Sequence, residues 1–352
     1  MFVNWAHYII PKLSFVLSYI SNPLFIYLIH NNNHVLLGPY RYLLYFFAIF
    51  NMTASLGDLL VPVCVHNYRY ACVTFVVDGP FSSRSWFGEH SIAYRCAFIS
   101  GTYGILNVHF LFRYLSLNRN DLITRYFMPY GLILSIVYVI VHGVLWAMID
   151  ITFIYSAPEM RDYVRNSFWE LYHEDIENIN FVAGVFSETS QDIIQRSWTG
   201  ILLLTLIASY SMILYFVLGY KIITGIKKAI GTMSRKTTNM QKQLFKALTI
   251  QTVIPICVSF LPCTLSFYGA AWKIEFANWV YWGATIAVSM FPFLDPMAII
   301  FFLPALRRRL GFKFGRISTS VNERGYSSKQ QHHVSFDHEP PSQFYYHQET
   351  YM

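Results

Sequence analysis

The chain has 352 residues, of which 55% are hydrophobic, 18% aromatic and only 13% charged, and its mean hydropathy is +0.37, too apolar for an ordinary soluble domain. The formal charge of +7 is spread between apolar runs rather than over one compact face, which excludes nucleic acid as a partner and points to a lipid bilayer. The five cysteines, Cys64, Cys72, Cys96, Cys257 and Cys263, form no CxxC pair and no His/Cys cluster of metal-ligand spacing, so no metal or other cofactor is expected.

Seven apolar runs reach the roughly 20 residues needed to cross a hydrocarbon core: Tyr8–Ile29, Tyr40–Cys64, Ala93–Leu115, Phe127–Ile149, Trp198–Tyr220, Phe245–Ala270 and Ala277–Leu303. The first has neither a basic segment before it nor a small-residue cleavage site after it, so it reads as a retained helix. The expected fold is an all-α membrane protein: a bundle of seven transmembrane helices over residues 1–310, an acidic segment at 150–197 and a disordered tail at 311–352.

Basic residues orient the bundle. Arg113, Arg119 and Arg125 flank the second inner connector, while Lys221, Lys227, Lys228, Arg235, Lys236, Lys242 and Lys246 fill the third without an acid among them. Arg307, Arg308, Arg309, Lys313 and Arg316 follow the last run. All three segments belong inside by the positive-inside rule, which puts the amino terminus outside. The segment from Asp150 to Ser197, rich in Glu159, Asp162, Glu170, Glu174, Asp175, Glu177, Glu188 and Asp192, falls outside. Beyond Ser318 the chain turns to Ser, Gln, His, Pro and Tyr, with too few aliphatic residues for a core. Its serines and threonines read either as phosphorylation sites or as a solvated tail.

Polar groups within hydrocarbon usually face the bundle interior. Asn22 of the first run, Asp58 of the second and Asp295 of the seventh are such groups and suit one interior network. Pro296 opens the backbone beside Asp295, and in the sixth run Pro255 and Pro262 each remove a backbone hydrogen bond, which predicts a kink or hinge. Lys242 and Lys246, four residues apart, share a helical face just before that run.

These residues resemble rhodopsin-type G-protein-coupled receptors: the Asn of the first run, SLGDLL in the second, Arg113 and Tyr114 in HFLFRYLS, and Asp295-Pro296. GPYRYLLYFFAIF, VHFLFRYLS, MQKQLFKALTIQTVIP and FPFLDPMAII followed by RRR are similar, more closely, to the nematode seven-helix chemoreceptors of the Str class. The resemblance runs from the first helix to the start of the tail. It implies a rhodopsin-like architecture in the plasma membrane of sensory neurons, often in cilia, and a heterotrimeric G protein as partner. By the same resemblance Arg113 and Tyr114 close the third helix on the G-protein side, with Lys227, Lys228, Lys242 and Lys246 beside them. Phe112 stands where such receptors usually carry an acid next to the arginine, so any restraint on Arg113 comes from elsewhere. Cys96 sits where these receptors bridge to the second outer loop, yet 150–197 contains no cysteine. Cys72 is then a candidate partner for Cys96, with Cys64 an alternative.

Ligand sites in helical bundles lie between helices, with apolar walls and a few orienting polar groups. The candidates are Phe98, Thr102, Tyr103, Trp198, Thr264, Phe267, Tyr268, Tyr281 and Trp282. No ionised residue stands out among them, which favours a small neutral or weakly polar odorant or water-soluble cue. Binding would shift the sixth helix about its prolines and open a cleft beside Arg113. The competing readings are a ligand-gated channel of the inverted odorant-receptor type and a transporter, and a receptor oligomer stays open. An enzyme is disfavoured: HExxH, GxSxG and glycine-rich phosphate loops are absent.

Overall fold

In a computed structural model of the protein, residues 3–31, 37–229, 235–274 and 276–307 are described. They lie in the first of the chain's two units, Met1–Phe312; the second, Lys313–Met352, and with it the tail expected at 311–352, lies outside the described residues. Helices α1 (Trp5–His30) and α2 (Tyr40–Leu60) lead to strands β1 (Val63–Tyr68) and β2 (Ala71–Val76), then to α3 (Trp86–Asn118). Next come α4 (Asn120–Tyr126), a π-helical turn at Phe127–Gly131, α5 (Leu132–Phe153), α6 (Pro158–Tyr172) and strand β3 (Phe181–Val185). The fifth run is α7 (Gln191–Ala229). The sixth comprises α8 (Arg235–Pro255), a π-helical stretch at Ile256–Phe260 and α9 (Leu261–Ala271), and the seventh is α10 (Asn278–Phe302), followed by α11 (Pro304–Arg307).

Six of these segments are long and apolar enough to cross a membrane. The remaining one, α3, has the length, at 33 residues, but buries Arg95, Asn107, His109 and Arg113; its polar groups turn inward among the other helices. The opposite distribution marks α5, where Leu134 is 70% exposed alongside Ile133, Ile140 and Val144, an apolar face suited to lipid. The helices are capped as their sequences dictate: Asn4 accepts from the His7 N–H at 2.9 Å and Ser85 from the Gly88 N–H at 3.0 Å, each satisfying an orphan donor of the first turn.

The expected helical bundle is joined by one small sheet. The segment expected to continue the second helix to Cys64 leaves it at Leu60, and Cys64 lies in β1. β1, β2 and β3 form an antiparallel sheet in that order, with Cys64 opposite Phe75 and Cys72 opposite Gly184. The acidic 150–197 segment is likewise structured. It contributes the last turn of α5, then α6, β3 and the start of α7. Helix α6 presents Met160, Val164, Phe168 and Tyr172, four residues apart, to Cys64, Val73, Phe75, Phe181 and Ala183 of the sheet. This cap is tied to the top of α3 by Arg161, which is 2% exposed. Its Nη2 meets Glu89 at 2.6 Å and its Nη1 donates to the carbonyls of Ile176 and Ile179. Asn180 adds a second tie, accepting from the Ser85 N–H and donating to the carbonyls of Phe81 and Ser83.

His66 of β1 is buried in this cap, its Nε2 3.1 Å from Ser167 Oγ and its ring edge-on to Phe168 and Tyr172. Burial lowers its pKa to about 4. Between about pH 6.5 and about 4 the unfolded chain therefore takes up a proton that the folded cap refuses, so stability is lost as pH falls through that window, by up to roughly 3 kcal/mol. Thermal unfolding of the detergent-solubilised protein across this range should show the decline, and His66→Asn should flatten it relative to the parent. An unchanged slope would remove His66 from the acid response.

Candidate ligand cavity and the buried arginine of α3

The strands alternate between two environments. Val73, Phe75, Phe181 and Ala183 pack under α6, while Val63, Cys72, Thr74 and Val182 face the bundle and roof a void of about 90 Å³. Two smaller voids of about 30 Å³ each adjoin it through shared wall residues: Arg95 and Ile99 on one side, Trp146, Leu204, Cys263 and Phe267 on the other. The cavity is thus enclosed by α2, α3, α5, α7, the sixth span and α10, under a β-sheet lid.

Its strongest feature is Arg95. The guanidinium donates from Nε at 2.8 Å and from Nη2 at 2.5 Å to Asp58 Oδ1, with side chains only 6% and 3% exposed. Asp58 Oδ2 has no partner among the described residues, and Asp58 lines one of the smaller voids. Asp150, 5% exposed, lines the main void at the end of α5. Cys72, Cys96 and Cys263 line that same void. All three are free thiols, as are Cys64 and Cys257, so the candidate Cys72–Cys96 pairing is not formed. Burial pushes the Cys72 thiol pKa up, which keeps it a neutral wall residue.

The cavity gathers six of the expected ligand residues: Phe98, Thr102, Tyr103, Thr264, Phe267 and Tyr268. Three are elsewhere. Trp198 packs edge-on against Phe186, Tyr281 sits beside Phe276, and Trp282 packs on the cap core and His7. The residues that sequence reasoning missed are Arg95, Asp150 and Trp146. Arg95 and Asp150 place ionisable side chains deep in this half of the bundle, where no ionised residue stood out from the sequence.

The floor of the cavity is the stretch of the sixth span where the sequence suggested a kink or hinge. Pro255, Val258 and Ser259 line it, and the Tyr103 hydroxyl is 3.1 Å from Ser259 Oγ. A π-helical stretch lies between Pro255 and Pro262, where the missing proline donors interrupt the ladder. At the far end of α3, Arg113 is 4% exposed. Its guanidinium carbon is 3.7 Å above the Tyr40 ring, and the Tyr40 hydroxyl is held 2.7 Å from His109 Nδ1. Arg113 Nε and Nη2 have no hydrogen-bond partner among the described residues. Around this end Lys227, Lys228, Lys242 and Lys246 are exposed, with Lys246 near the Phe302 ring and Lys221 near Tyr114.

The single network expected of Asn22, Asp58 and Asp295 is divided. Pro296 lacks an N–H, so the carbonyl four residues earlier, at Pro292, has no helical partner; Asn22 Nδ2 donates to it at 3.1 Å and also to Ser18. Asp295, fully buried, accepts from Gln251 Nε2 at 3.4 Å. Asp58 belongs to the cavity instead.

With this geometry in place, comparison with known proteins is informative. Residues 1–310 match the family described as serpentine type 7TM GPCR chemoreceptor Srj. Serpentine receptor class J-38 of Caenorhabditis elegans is 33% identical over 326 residues, covering 92% of this chain and 98% of its own length. G-protein coupled receptor str-217 of the same species is 25% identical over 313 residues, 87% of this chain and 88% of its own. Serpentine receptor class r-10 of Caenorhabditis briggsae is 23% identical over 322 residues, 88% and 91% of the two chains. All three are named as receptors. The Str class expected from the sequence is thereby corrected to Srj, with the Str relative the more distant one.

Removing one member of a buried ion pair strands the other charge, at a cost of about 3 kcal/mol or more. Arg95→Met should therefore sharply reduce thermal stability and surface expression, while the double variant Asp58→Leu/Arg95→Met should recover most of the loss. Equal loss in single and double variants would show that the pair is not the source of the penalty.

Proposed function

Because the chain belongs to the Srj family of serpentine seven-transmembrane chemoreceptors, nematode G-protein-coupled receptors, we propose that it detects a small polar molecule in the roofed cavity and activates a heterotrimeric G protein at the Arg113 end. The observation that carries this reading is that cavity and hinge are one place: Pro255, Val258 and Ser259 form the wall nearest Tyr103. A ligand that favours one arrangement of this wall biases the whole sixth span, whose other end carries Lys242 and Lys246. The cell-surface orientation that fits has the amino terminus and the sheet outside, at the plasma membrane, with sensory cilia as the setting implied by resemblance. Arg95, Asp58 and Asp150 favour a ligand with hydrogen-bonding or charged groups over a purely apolar odorant.

The same geometry supplies the restraint that Phe112 cannot. Tyr40, fixed by His109, covers the Arg113 guanidinium, so the residue that a G protein would meet is withdrawn in this state. A cation–π contact of this kind contributes about 1–2 kcal/mol when desolvated, which corresponds to a roughly 5- to 30-fold shift of a two-state equilibrium.

Tyr40→Ala should raise ligand-independent nucleotide exchange within that range, in membranes normalised for surface receptor. Arg113→Ala placed on top should abolish the gain without loss of expression. Basal exchange unaltered by Tyr40→Ala would show that the ring does not restrain Arg113, and a gain that survives Arg113→Ala would remove the arginine from coupling.

A further inference from the structure

A second, larger cavity of about 570 Å³ opens on an exposed apolar side of the bundle, between α3, the α4–α5 kink and α7. It lies toward the Arg113 end and is separate from the roofed cavity, with which it shares no wall residue. We propose that it is a binding site for a neutral, hydroxyl-bearing membrane lipid with a rigid ring body, that is, a sterol.

Three features select this chemistry. First, none of the described residues lining the cavity is ionised, so nothing there compensates a phosphate or an ammonium headgroup within hydrocarbon. Second, the apolar walls carry flat rings, Phe112, Tyr126, Phe127 and Tyr130, and along α3 they run from Asn107 to Leu115, about 12 Å at the helical rise, room for a fused ring system. Third, the deep end holds an unsatisfied acceptor. Asn107, 3% exposed, donates from Nδ2 to the Tyr138 hydroxyl at 2.9 Å and to Ser211 Oγ at 3.1 Å, while its Oδ1 has no partner. A buried acceptor left unpaired is costly, and a lipid hydroxyl donating to Asn107 Oδ1 would satisfy it. The groove mouth is built from residues that need no burial by protein: Tyr130 is 73% exposed and Leu134 70%.

Asn107 and Tyr138 also join α3 to α5 beside α7, so an occupant would brace the inner half of these helices against one another. The site is independent of the agonist reading, and its test needs no agonist.

The full-length protein in phosphatidylcholine nanodiscs is photolabelled with a diazirine analogue of cholesterol and mapped by peptide mass spectrometry. Labels should concentrate on 107–138 and 210–214, and excess cholesterol, but not excess phosphatidylcholine or diacylglycerol, should compete. Leu111→Trp, at an exposed wall position that tolerates bulk, should reduce labelling about tenfold, and Asn107→Leu should reduce it while thermal stability is checked in parallel. Labels scattered over the outer faces of the helices, competition by any lipid alike, or full labelling of Leu111→Trp would each overturn the assignment.

Discussion

The structure depends first on the buried pair of Arg95 and Asp58. Two opposite charges in the interior of a membrane bundle are tolerable only together, and the two hydrogen bonds from Arg95 to Asp58 Oδ1 fix the last turn of α2 against the cap-side part of α3. The chain leaves α2 two residues after Asp58, and the sheet begins immediately beyond. The position of the lid is therefore set by the same contact that puts charge in the cavity wall. Cap, cavity and ion pair form one unit, with Glu89–Arg161 tying the cap to α3.

Helix α3 carries that construction to the other end of the molecule. Arg95 and Arg113 are eighteen residues apart, close to five turns, so they lie on one face of the rod, and Tyr103 and His109 are buried between them. One arginine is neutralised by a carboxylate beside the cavity; the other is covered by an aromatic ring and left short of partners. This asymmetry gives the two ends different tasks. The Arg95 charge is part of the cavity wall, while under the proposed coupling the Arg113 charge would gain hydrogen bonds when Tyr40 moves or a partner enters. The sixth span provides the means, since its π-helical stretch touches the cavity through Ser259 and its basic end stands beside Arg113.

Much of this was readable from residue pattern. The apolar runs located the spans, the prolines flanked the π-helical stretch of the sixth, and HFLFRYLS contained the buried Arg113. Four terms were not. The sheet was hidden because both faces of β2 are buried, one by α6 and one by the bundle, so VCVHNYRYACVTFVV shows little alternation and its start reads as more helix. Helix α6 did leave a signal, in Pro158 at its first position and in the spacing of Met160, Val164, Phe168 and Tyr172, but acidity drew attention to the segment's charge instead. Arg95, in AYRCAF, has its partner 37 residues away, so no local pattern marks it. Phe112 next to Arg113 showed that an acid was missing, but not that Tyr40, at the start of another helix, lies over the guanidinium.

The central claim is that the sheet-capped cavity faces the exterior and the Arg113 end faces the cytoplasm. The most direct measurement is antibody access to epitope tags at the two chain ends, in intact and then permeabilised cells. The account predicts an amino-terminal tag that stains intact cells and a carboxyl-terminal tag that stains only after permeabilisation. The reverse pattern would place the cavity inside the cell and the basic rim outside, and would contradict the assignment of ligand and G-protein sides on which the rest is built.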